Sequence, residues 1–299
     1  MPVTPTRPHQ LEWRVFRGTD ARRARLVTAD QLRSAAWVRL RHDVYADARL
    51  DRDHGLACRA VALRLPAGAA FAGPSAAYLH GVDHAAAPHD DVHVVVPPPA
   101  RVSARKGAVI HAGPLRPGDV TARGGLPVTA PARTAWDVAG WLELAAAVAV
   151  IDGMLGCGAL TADALSAQLA ARRGDRGWRR AATAAELADG RSRSSAESRL
   201  RVRLVLAGLP RPVPRHPVPG PGGRPLLVGL AWPEFRVAVD HDGRRRGARE
   251  QPHHDRRRLG QLRSAGWLVL SGTAERLRRD FAGFVREVRA ALIERGWRP

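Results

Sequence analysis

The stretch LLVGLAWPEFRVAVDHDG, residues 226–243, strongly restricts how this chain can fold. Residues 226–231 are largely apolar, and Trp232-Pro233-Glu234 interrupts the run. Apolar residues then alternate with polar or small ones, which is the period of a half-buried strand. The pattern predicts a β-hairpin whose second strand buries Phe235, Val237 and Val239 and ends in Asp240, with Asp242 two residues further on.

The order of elements around this hairpin predicts an α/β sandwich. A helix over 196–207 ends at Gly208, and a Pro/Gly-rich stretch over 210–225 leads into the hairpin. A charged helix over 253–265, a strand over 267–271 and a final helix over 274–295 follow. Small and polar residues at 188–195 indicate a domain boundary, so 191–299 is predicted to be one domain.

This C-terminal part resembles the restriction-endonuclease-like PD-(D/E)XK superfamily, in the branch of very-short-patch-repair endonucleases. The resemblance rests on SSAESRLRVRLVLAGLP (194–210), VGLAWPEFRVAVDHDG (228–243) and HDRRRLGQLRSAGWLVL (254–270). It implies a restriction-endonuclease-like fold and carboxylates that hold Mg²⁺ or Mn²⁺ for phosphodiester cleavage. Under this interpretation the catalytic candidates are Glu197, Asp240 and Asp242, and the metal candidates are Asp240 and Asp242.

The sequence departs from that family at several positions. The first-strand Asp of the branch is Gly229, and the second-strand Glu is Asp240. Arg245 and Arg246 stand where histidines are expected, and His253 and His254 lie further along. We therefore expect an impaired catalytic set, with no cofactor unless the site is active. Glu197 has an equally simple explanation, because Ser194-x-x-Glu197 is a helix capping box.

The N-terminal half resembles AbiEi-type antitoxins in three segments. These are TADQLRSAAWVRLRHDVYAD (28–47), GPSAAYLHGV (73–82) and PVTAPARTAWDVA (127–139). The resemblance implies a mainly helical, winged-helix-like segment over 1–50, followed by an α+β domain over 51–190. In the winged-helix interpretation Arg33, Arg39 and Arg41 contact DNA phosphates; alternatively, they are solvated surface residues.

The sequence predicts further elements in this half. A short helix from Thr28 is followed by a strand that ends at Tyr45, and several helices and two strands come after it. The helices are 52–65, 74–80, a long helix 131–155 that begins at Pro131, 161–172 and 176–189; the strands are 91–97 and 107–113.

The charge balance favours a polyanionic partner. The chain has 48 Lys and Arg against 28 Asp and Glu, a formal net charge of +20. An arginine cluster next to the hairpin predicts phosphate contacts, although a solvated arginine-rich face would have the same composition. Its members are Arg244, Arg245, Arg246, Arg249, Arg256 and Arg257.

The apolar stretch 141–155 is too short to span a bilayer and contains Glu143 and Asp152, so we expect a buried helix and a cytoplasmic protein without a membrane partner. Three functions stay open at this stage. The first is a DNA-interacting protein with an impaired endonuclease-like domain, and the second is an active metal-dependent endonuclease. The third is a non-enzymatic antitoxin-type regulator, with a homo-oligomer or a toxin-like protein as partner.

Overall fold

The computed structural model describes residues 7–100, 107–192, 194–220, 224–240 and 251–299, with the side chains of 251–256 excluded. The chain divides into two compact units, Met1–Val138 and Ala139–Pro299, and the division falls inside one helix. The predicted boundary at 190/191 lies within the second unit. The independent folding of residues 191–299 stays a prediction.

The first unit contains two sheets. An antiparallel sheet has the strand order β1-β3-β2, and a mixed sheet has the order β6-β5-β4-β8-β7. The strands are β1 Val15–Arg17, β2 Trp37–Arg41, β3 Val44–Asp47, β4 Ala70–Phe71, β5 Val92–Val96, β6 Ala108–Ala112, β7 Val120–Arg123 and β8 Leu126–Thr129. The helices are α1 Gly18–Arg23, α2 His54–Ala62, α3 Gly73–Leu79 and α4 Pro131–Trp141.

Each sheet of the first unit has its own core. In the smaller sheet, Phe16 and Trp37 pack edge to face with ring centroids 5.1 Å apart. In the larger sheet, Phe71 and Val94 pack with Cys58 of α2. The expectation of a mainly helical N-terminal region is wrong, because eight strands are described before residue 130. The winged-helix arrangement stays a prediction.

The second unit places helices on both faces of a four-stranded sheet of order β12-β11-β10-β9. Strand β10 is antiparallel to both of its neighbours, β9 and β11, and β12 is parallel to β11. The strands are β9 Val213–Val218, β10 Leu226–Trp232, β11 Val237–Asp240 and β12 Leu268–Ser271. The helices are α5 Leu144–Gly156, α6 Ala162–Ala171, α7 Trp178–Leu187, α8 Ser195–Leu206, α9 Gln251–Ser264, α10 Ala274–Arg279 and α11 Phe281–Glu294.

The hairpin forms, with a shorter second strand than predicted. Trp232 pairs with Val237, and Phe235 lies in a 3₁₀ turn that ends at Arg236, whose φ is 49°. Val237 and Val239 pack on one core cluster, and Ala238 packs on the other with Leu262. Strand β11 is therefore buried on both faces, so the expectation of one buried and one open face is wrong.

Three predicted helices differ from the structure, and in two of them a side chain caps a new helix start. The helix over 131–155 is two helices, since the Glu143 carboxylate accepts N–H bonds from Ala145 and Ala146 and starts α5. Similarly, Asp280 accepts the N–H of Gly283 at 2.7 Å and starts α11. The helix predicted from Thr28 is only a 3₁₀ turn, Gln31–Arg33.

Candidate functional site at the end of the C-terminal sheet

Asp240 lies at the end of β11, where the sequence places it. It pairs with Ser271 of β12, and its Oδ1 accepts the backbone N–H of Gly229 on the other neighbouring strand at 3.2 Å. Gly229, where the endonuclease resemblance expects a carboxylate, therefore supplies a backbone N–H to Asp240 instead. This hydrogen bond from β10 fixes the position of the Asp240 side chain.

Arg258 of α9 forms an ion pair with Asp240. The same guanidinium also donates a hydrogen bond to the carbonyl of Leu227 on β10. The side chains of Asp240 and Arg258 are 25% and 30% exposed, so the pair lies at the mouth of the hairpin rather than in bulk solvent. A cation supplied by the chain itself thus contacts both oxygens of the Asp240 carboxylate.

Glu197 lies in the first turn of α8 and is buried. Its backbone N–H donates to Ser194 Oγ at 3.2 Å, which is the capping contact expected of a Ser-x-x-Glu box. One turn later, Leu200 packs with Val239 and Phe284 in the core. Helix α8 therefore crosses the same core that supports the end of β11.

The remaining site candidates are only partly described. Asp242, Arg244, Arg245, Arg246 and Arg249 lie outside the described residues. Arg256 is in α9 without a described side chain, as are His253 and His254, and Arg257 is exposed on α9. Within the described ranges, no group of three or more His, Cys, Asp and Glu side chains is arranged to hold a metal ion.

A buried ion pair connects α5 to α8. Arg201 Nη2 lies 2.8 Å from Asp152 Oδ2, and the two side chains are 0% and 2% exposed. Arg201 also donates to the carbonyl of Leu187, and Asp152 accepts the backbone N–H of Asp189 at 2.6 Å. Burial raises the pKa of Asp152, and the neighbouring Arg201 opposes this rise. The contacts stabilise the junction between the helical part of this unit and its sheet.

A second polar cluster forms around Arg133 at the start of α4. Its guanidinium bridges Asp137 at 2.9 Å and Asp119 at 2.6 Å, and it also donates to the carbonyl of Pro114. All three charged side chains are nearly buried. Arg133 and Asp137 belong to the segment PVTAPARTAWDVA. These residues of the antitoxin-like segment therefore connect α4 to the loop that contains Pro114 and Asp119.

Neighbouring residues of the same segment extend the cluster. Thr129 and Thr134 share a hydrogen bond of 2.7 Å between their hydroxyl oxygens, and His80 Nε2 contacts the carbonyl of Thr129 at 2.8 Å. Since a carbonyl only accepts, Nε2 of His80 carries the proton, and burial lowers the pKa of the ring. The second and third antitoxin-like segments thus meet in the structure.

The structure also contains a cluster of histidine and serine side chains in contact with β5, which the sequence did not predict. His54 Nδ1 is 3.1 Å from the carbonyl of Ala87, so this nitrogen donates and Nε2 accepts from Ser75 Oγ at 2.8 Å. Ser75 Oγ in turn accepts the backbone N–H of His93 at 2.8 Å. His54 and Ser75 are both 0% exposed, so Ser75 is not positioned to attack a substrate. The cluster is a structural support.

His93 and His111 extend this cluster towards the surface. Their rings stack with centroids 5.2 Å apart, and Nδ1 of His93 is 3.0 Å from Nε2 of His111. Burial lowers the pKa of both rings, that of His111 to about 4, and the proximity of His93 contributes. The short nitrogen-to-nitrogen contact requires one donor and one acceptor, which two neutral rings provide.

Several residues of these polar clusters lie in a region that matches a known family. Residues 68–189 match the AbiEi antitoxin C-terminal domain. This AbiEi-like region, residues 68–189, contains Ser75, His80, Arg133 and Asp137. The match supports the AbiEi resemblance of the second and third segments. The likeness to PD-(D/E)XK endonucleases stays a prediction.

Relatives exist over most of the chain. Uncharacterized protein Rv2248 of Mycobacterium tuberculosis strain H37Rv is 29% identical over 252 residues, which are 84% of this chain and 90% of the relative. Uncharacterized protein MT2308 of strain CDC 1551 / Oshkosh matches equally. Among solved structures, the RV2827C protein of Mycobacterium tuberculosis aligns with a TM-score of 0.42 and 18% identity, over 61% of this chain and 78% of its own.

Proposed function

We propose that the protein is a non-enzymatic, antitoxin-type regulator that binds DNA and counteracts a toxin-like protein. The match of residues 68–189 to the AbiEi antitoxin C-terminal domain carries this proposal. The polar residues of the matched segments are largely buried and hydrogen-bonded to one another. They are suited to hold a binding domain in shape rather than to react with a substrate.

The electrostatics of the chain supports DNA as the partner. A net charge of +20 attracts phosphates, and Arg39 of β2 and Arg257 of α9 are exposed. Arg33 pairs with Asp30, and Arg41 donates to the carbonyl of Gly107 at 2.8 Å. In this proposal Arg39 is therefore better placed than Arg33 or Arg41 to reach a phosphate.

The C-terminal sheet supports the non-enzymatic part of the proposal. Its order, a helix followed by three antiparallel strands, a helix and a parallel strand, is compatible with a restriction-endonuclease-like fold. A hard divalent ion needs several converging oxygens, whereas Asp240 faces the Arg258 guanidinium and the Gly229 N–H. We infer that this part contributes to DNA binding and that neither Mg²⁺ nor Mn²⁺ is a required cofactor.

Growth assays test the antitoxin role. Each gene next to the protein's own is expressed alone from an inducible promoter, and a gene that arrests growth is then co-expressed with this chain. We expect growth to recover, and to recover equally with Asp240→Asn, because the effect does not depend on catalysis. Failure to relieve any such arrest would refute the antitoxin role.

DNA binding is tested separately by fluorescence anisotropy with a labelled duplex over a range of salt concentrations. Because phosphate contacts release counterions, the logarithm of the binding constant should fall linearly with the logarithm of salt concentration. A flat response, or no binding at low salt, would remove DNA from the proposal. Plasmid nicking in Mg²⁺ or Mn²⁺ that disappears in Asp240→Ala would favour the active endonuclease instead.

A further inference from the structure

A cleft in the first unit lies between β2 and helix α2 and has a volume of about 860 Å³. This volume is within the range of ligand-binding clefts, roughly 300–1,000 Å³. One wall is formed by residues 38–42, and the other by residues on one side of the segment 52–65, which contains α2. The start of β6, at Gly107 and Ala108, forms part of the floor.

Strand β2 lies at the edge of its sheet, because in the strand order β1-β3-β2 it pairs with β3 alone among the described strands. Four consecutive residues of β2, from Val38 to Arg41, line the cleft. Successive side chains of a regular strand point to opposite faces, as at Val38 and Arg39 before the register shift between Arg39 and Arg41, so a surface that contacts both residues meets the strand along its edge. An edge strand presents backbone N–H and C=O groups that can pair with another chain.

The cleft interior is apolar. Leu56 and Val61 project from α2, and Ile110 projects from β6. Leu56 is buried, while Val61 and Ile110 are half-buried and pack against the core cluster around Phe71 and Val94. These side chains would cover the apolar residues of an extended segment laid along β2.

The rim of the cleft is cationic. Arg39, Arg52 and Arg64 are exposed and form no ion pair with any carboxylate that the structure describes. The two acids at the rim have internal partners instead: Asp53 accepts the N–H of Leu56 at 2.7 Å, and Asp90 accepts that of Ala87 at 2.7 Å. The rim therefore suits a negatively charged ligand.

A hydrogen bond connects β2 to the residue that precedes β6. Arg41 of β2 donates to the carbonyl of Gly107 at 2.8 Å. Gly107 has a φ of +81°, a conformation that favours glycine, and a Cβ there would lie 2.7 Å from Arg41 Nη2, so a larger residue would displace this guanidinium. This contact connects the β2 wall to the floor of the cleft.

We propose that this cleft binds an extended segment of a protein partner, in which acidic residues alternate with apolar ones, by adding it as a strand to the free edge of β2. Backbone hydrogen bonds to β2 would supply affinity, and alternating side chains would reach the apolar floor and the arginine rim. Among the described residues that line the cleft there is no Trp, Tyr or Phe on which nucleic-acid bases could stack. A peptide therefore fits better than a single-stranded nucleic acid, and this inference does not depend on the antitoxin role.

The test uses the full chain and a fluorescein-labelled nonapeptide in which glutamate alternates with valine or threonine. Two matched peptides serve as controls: one with lysine in place of glutamate, and one with N-methylated backbone amides that cannot pair with a strand. We expect saturable binding of the acidic peptide and at least tenfold weaker binding of both controls. Equal binding of the lysine or the N-methylated peptide, or no binding of the acidic peptide at millimolar concentration, overturns the proposal.

Protein variants locate the binding to this cleft. Arg52→Glu and Arg64→Glu reverse charge at exposed positions of the rim, and we expect the double variant to weaken peptide binding at least tenfold. Arg59→Glu is the matched control, because Arg59 is exposed on α2, between these two positions in the sequence, and does not line the cleft. Equal losses in the control and the double variant would show general electrostatic attraction and overturn the proposal.

Two further measurements distinguish strand addition from other occupancy. Hydrogen exchange of the chain with bound peptide should show new protection of backbone amides within residues 38–41, and absence of that protection contradicts pairing with β2. A labelled oligothymidine is titrated in parallel. If its binding is weakened by the double variant but not by Arg59→Glu, while the acidic peptide does not compete, the cleft is a nucleic-acid site and the proposal is wrong.

Discussion

Arg201 and Asp152 form an ion pair of 2.8 Å with both side chains almost completely removed from solvent. The pair joins α8, which follows the AbiEi-like region, to α5, which lies within it. Residues 139–190 and 191–299 therefore share a buried charged contact inside one compact unit. The end of the family match at residue 189 is not the end of a separately packed body.

Removing one partner of this pair should strongly destabilise the chain. Arg201→Met leaves a buried carboxylate without its cation, and the expected loss in free energy of unfolding is about 3–5 kcal/mol in urea denaturation. Because burial raises the pKa of Asp152, the loss should be smaller at acidic pH, where that carboxylate takes up a proton in the folded variant.

The matched control for this prediction is Arg199→Met, which alters an exposed arginine of the same helix and should change stability by no more than about 0.5 kcal/mol. Combining Asp152→Asn with Arg201→Met should cost less than the sum of the single changes, because the two groups interact directly. Additive losses would contradict the assigned coupling.

Asp47 predicts a pH dependence in the first unit. Hydrogen bonds from Arg49 and from the backbone N–H of Trp13 lower the pKa of its buried carboxyl group well below the ordinary value. The ionised form therefore stabilises the fold above the unfolded pKa of about 3.9, and this contribution is lost as pH falls below that value.

Asp47→Asn is the test of this prediction. Parent and variant are compared by chemical denaturation at several pH values from 7 to 3. The stability difference should be largest near neutral pH and should shrink below about pH 4. A difference that stays constant across this range would show that the charge of Asp47 does not stabilise the folded unit.

Local signals in the sequence predicted the hairpin, most helices and the capping role of Ser194, because these depend on neighbouring residues. Strand β9 was missed, since Pro214 and Pro217 interrupt its pattern. Proline is tolerated in an edge strand, and β9 is at the edge of its sheet. Edge position is a property of the assembled sheet and is not visible in the local sequence.

The candidate site also combines a local feature that the sequence predicted with contacts that it did not predict. The period-two pattern placed Asp240 at the end of a strand, and the structure agrees. Its pairing with Arg258 depends on how α9 packs across the sheet, over a separation of 18 residues. The His54 and Ser75 cluster likewise joins residues that are 21 positions apart. Such contacts follow from tertiary packing, which residue spacing does not encode.

Two phenylalanines should differ in their contribution to stability. Phe284 is 0% exposed, so Phe284→Ala should cost about 3–5 kcal/mol in thermal or urea unfolding. Phe235 lies in the turn and is only half-buried, so Phe235→Ala should cost clearly less. Equal losses would indicate that Phe235 is more deeply packed than the 3₁₀ turn allows.

The pair formed by Asp240 and Arg258 predicts how the chain responds to divalent ions. With the guanidinium against its carboxylate, Asp240 should bind Mn²⁺ weakly in isothermal titration. Arg258→Ala removes this competing cation and should strengthen Mn²⁺ binding by about tenfold, or roughly 1.4 kcal/mol, whereas Arg258→Lys retains the charge and should not. Unchanged affinity in Arg258→Ala would show that this arginine does not keep ions from the carboxylate.

Cleavage should require more than removal of Arg258. The endonuclease resemblance implies an Asp at position 229, a Glu at position 240 and a histidine, so Gly229→Asp, Asp240→Glu and Arg246→His are combined with Arg258→Ala. Carboxylates would then extend from both strands of the hairpin, as metal-assisted hydrolysis requires. We expect plasmid nicking, if any appears, only in this combined variant. Robust nicking by the unaltered protein that is abolished by Asp240→Ala would instead establish an active site of unusual composition, in which the ion displaces Arg258.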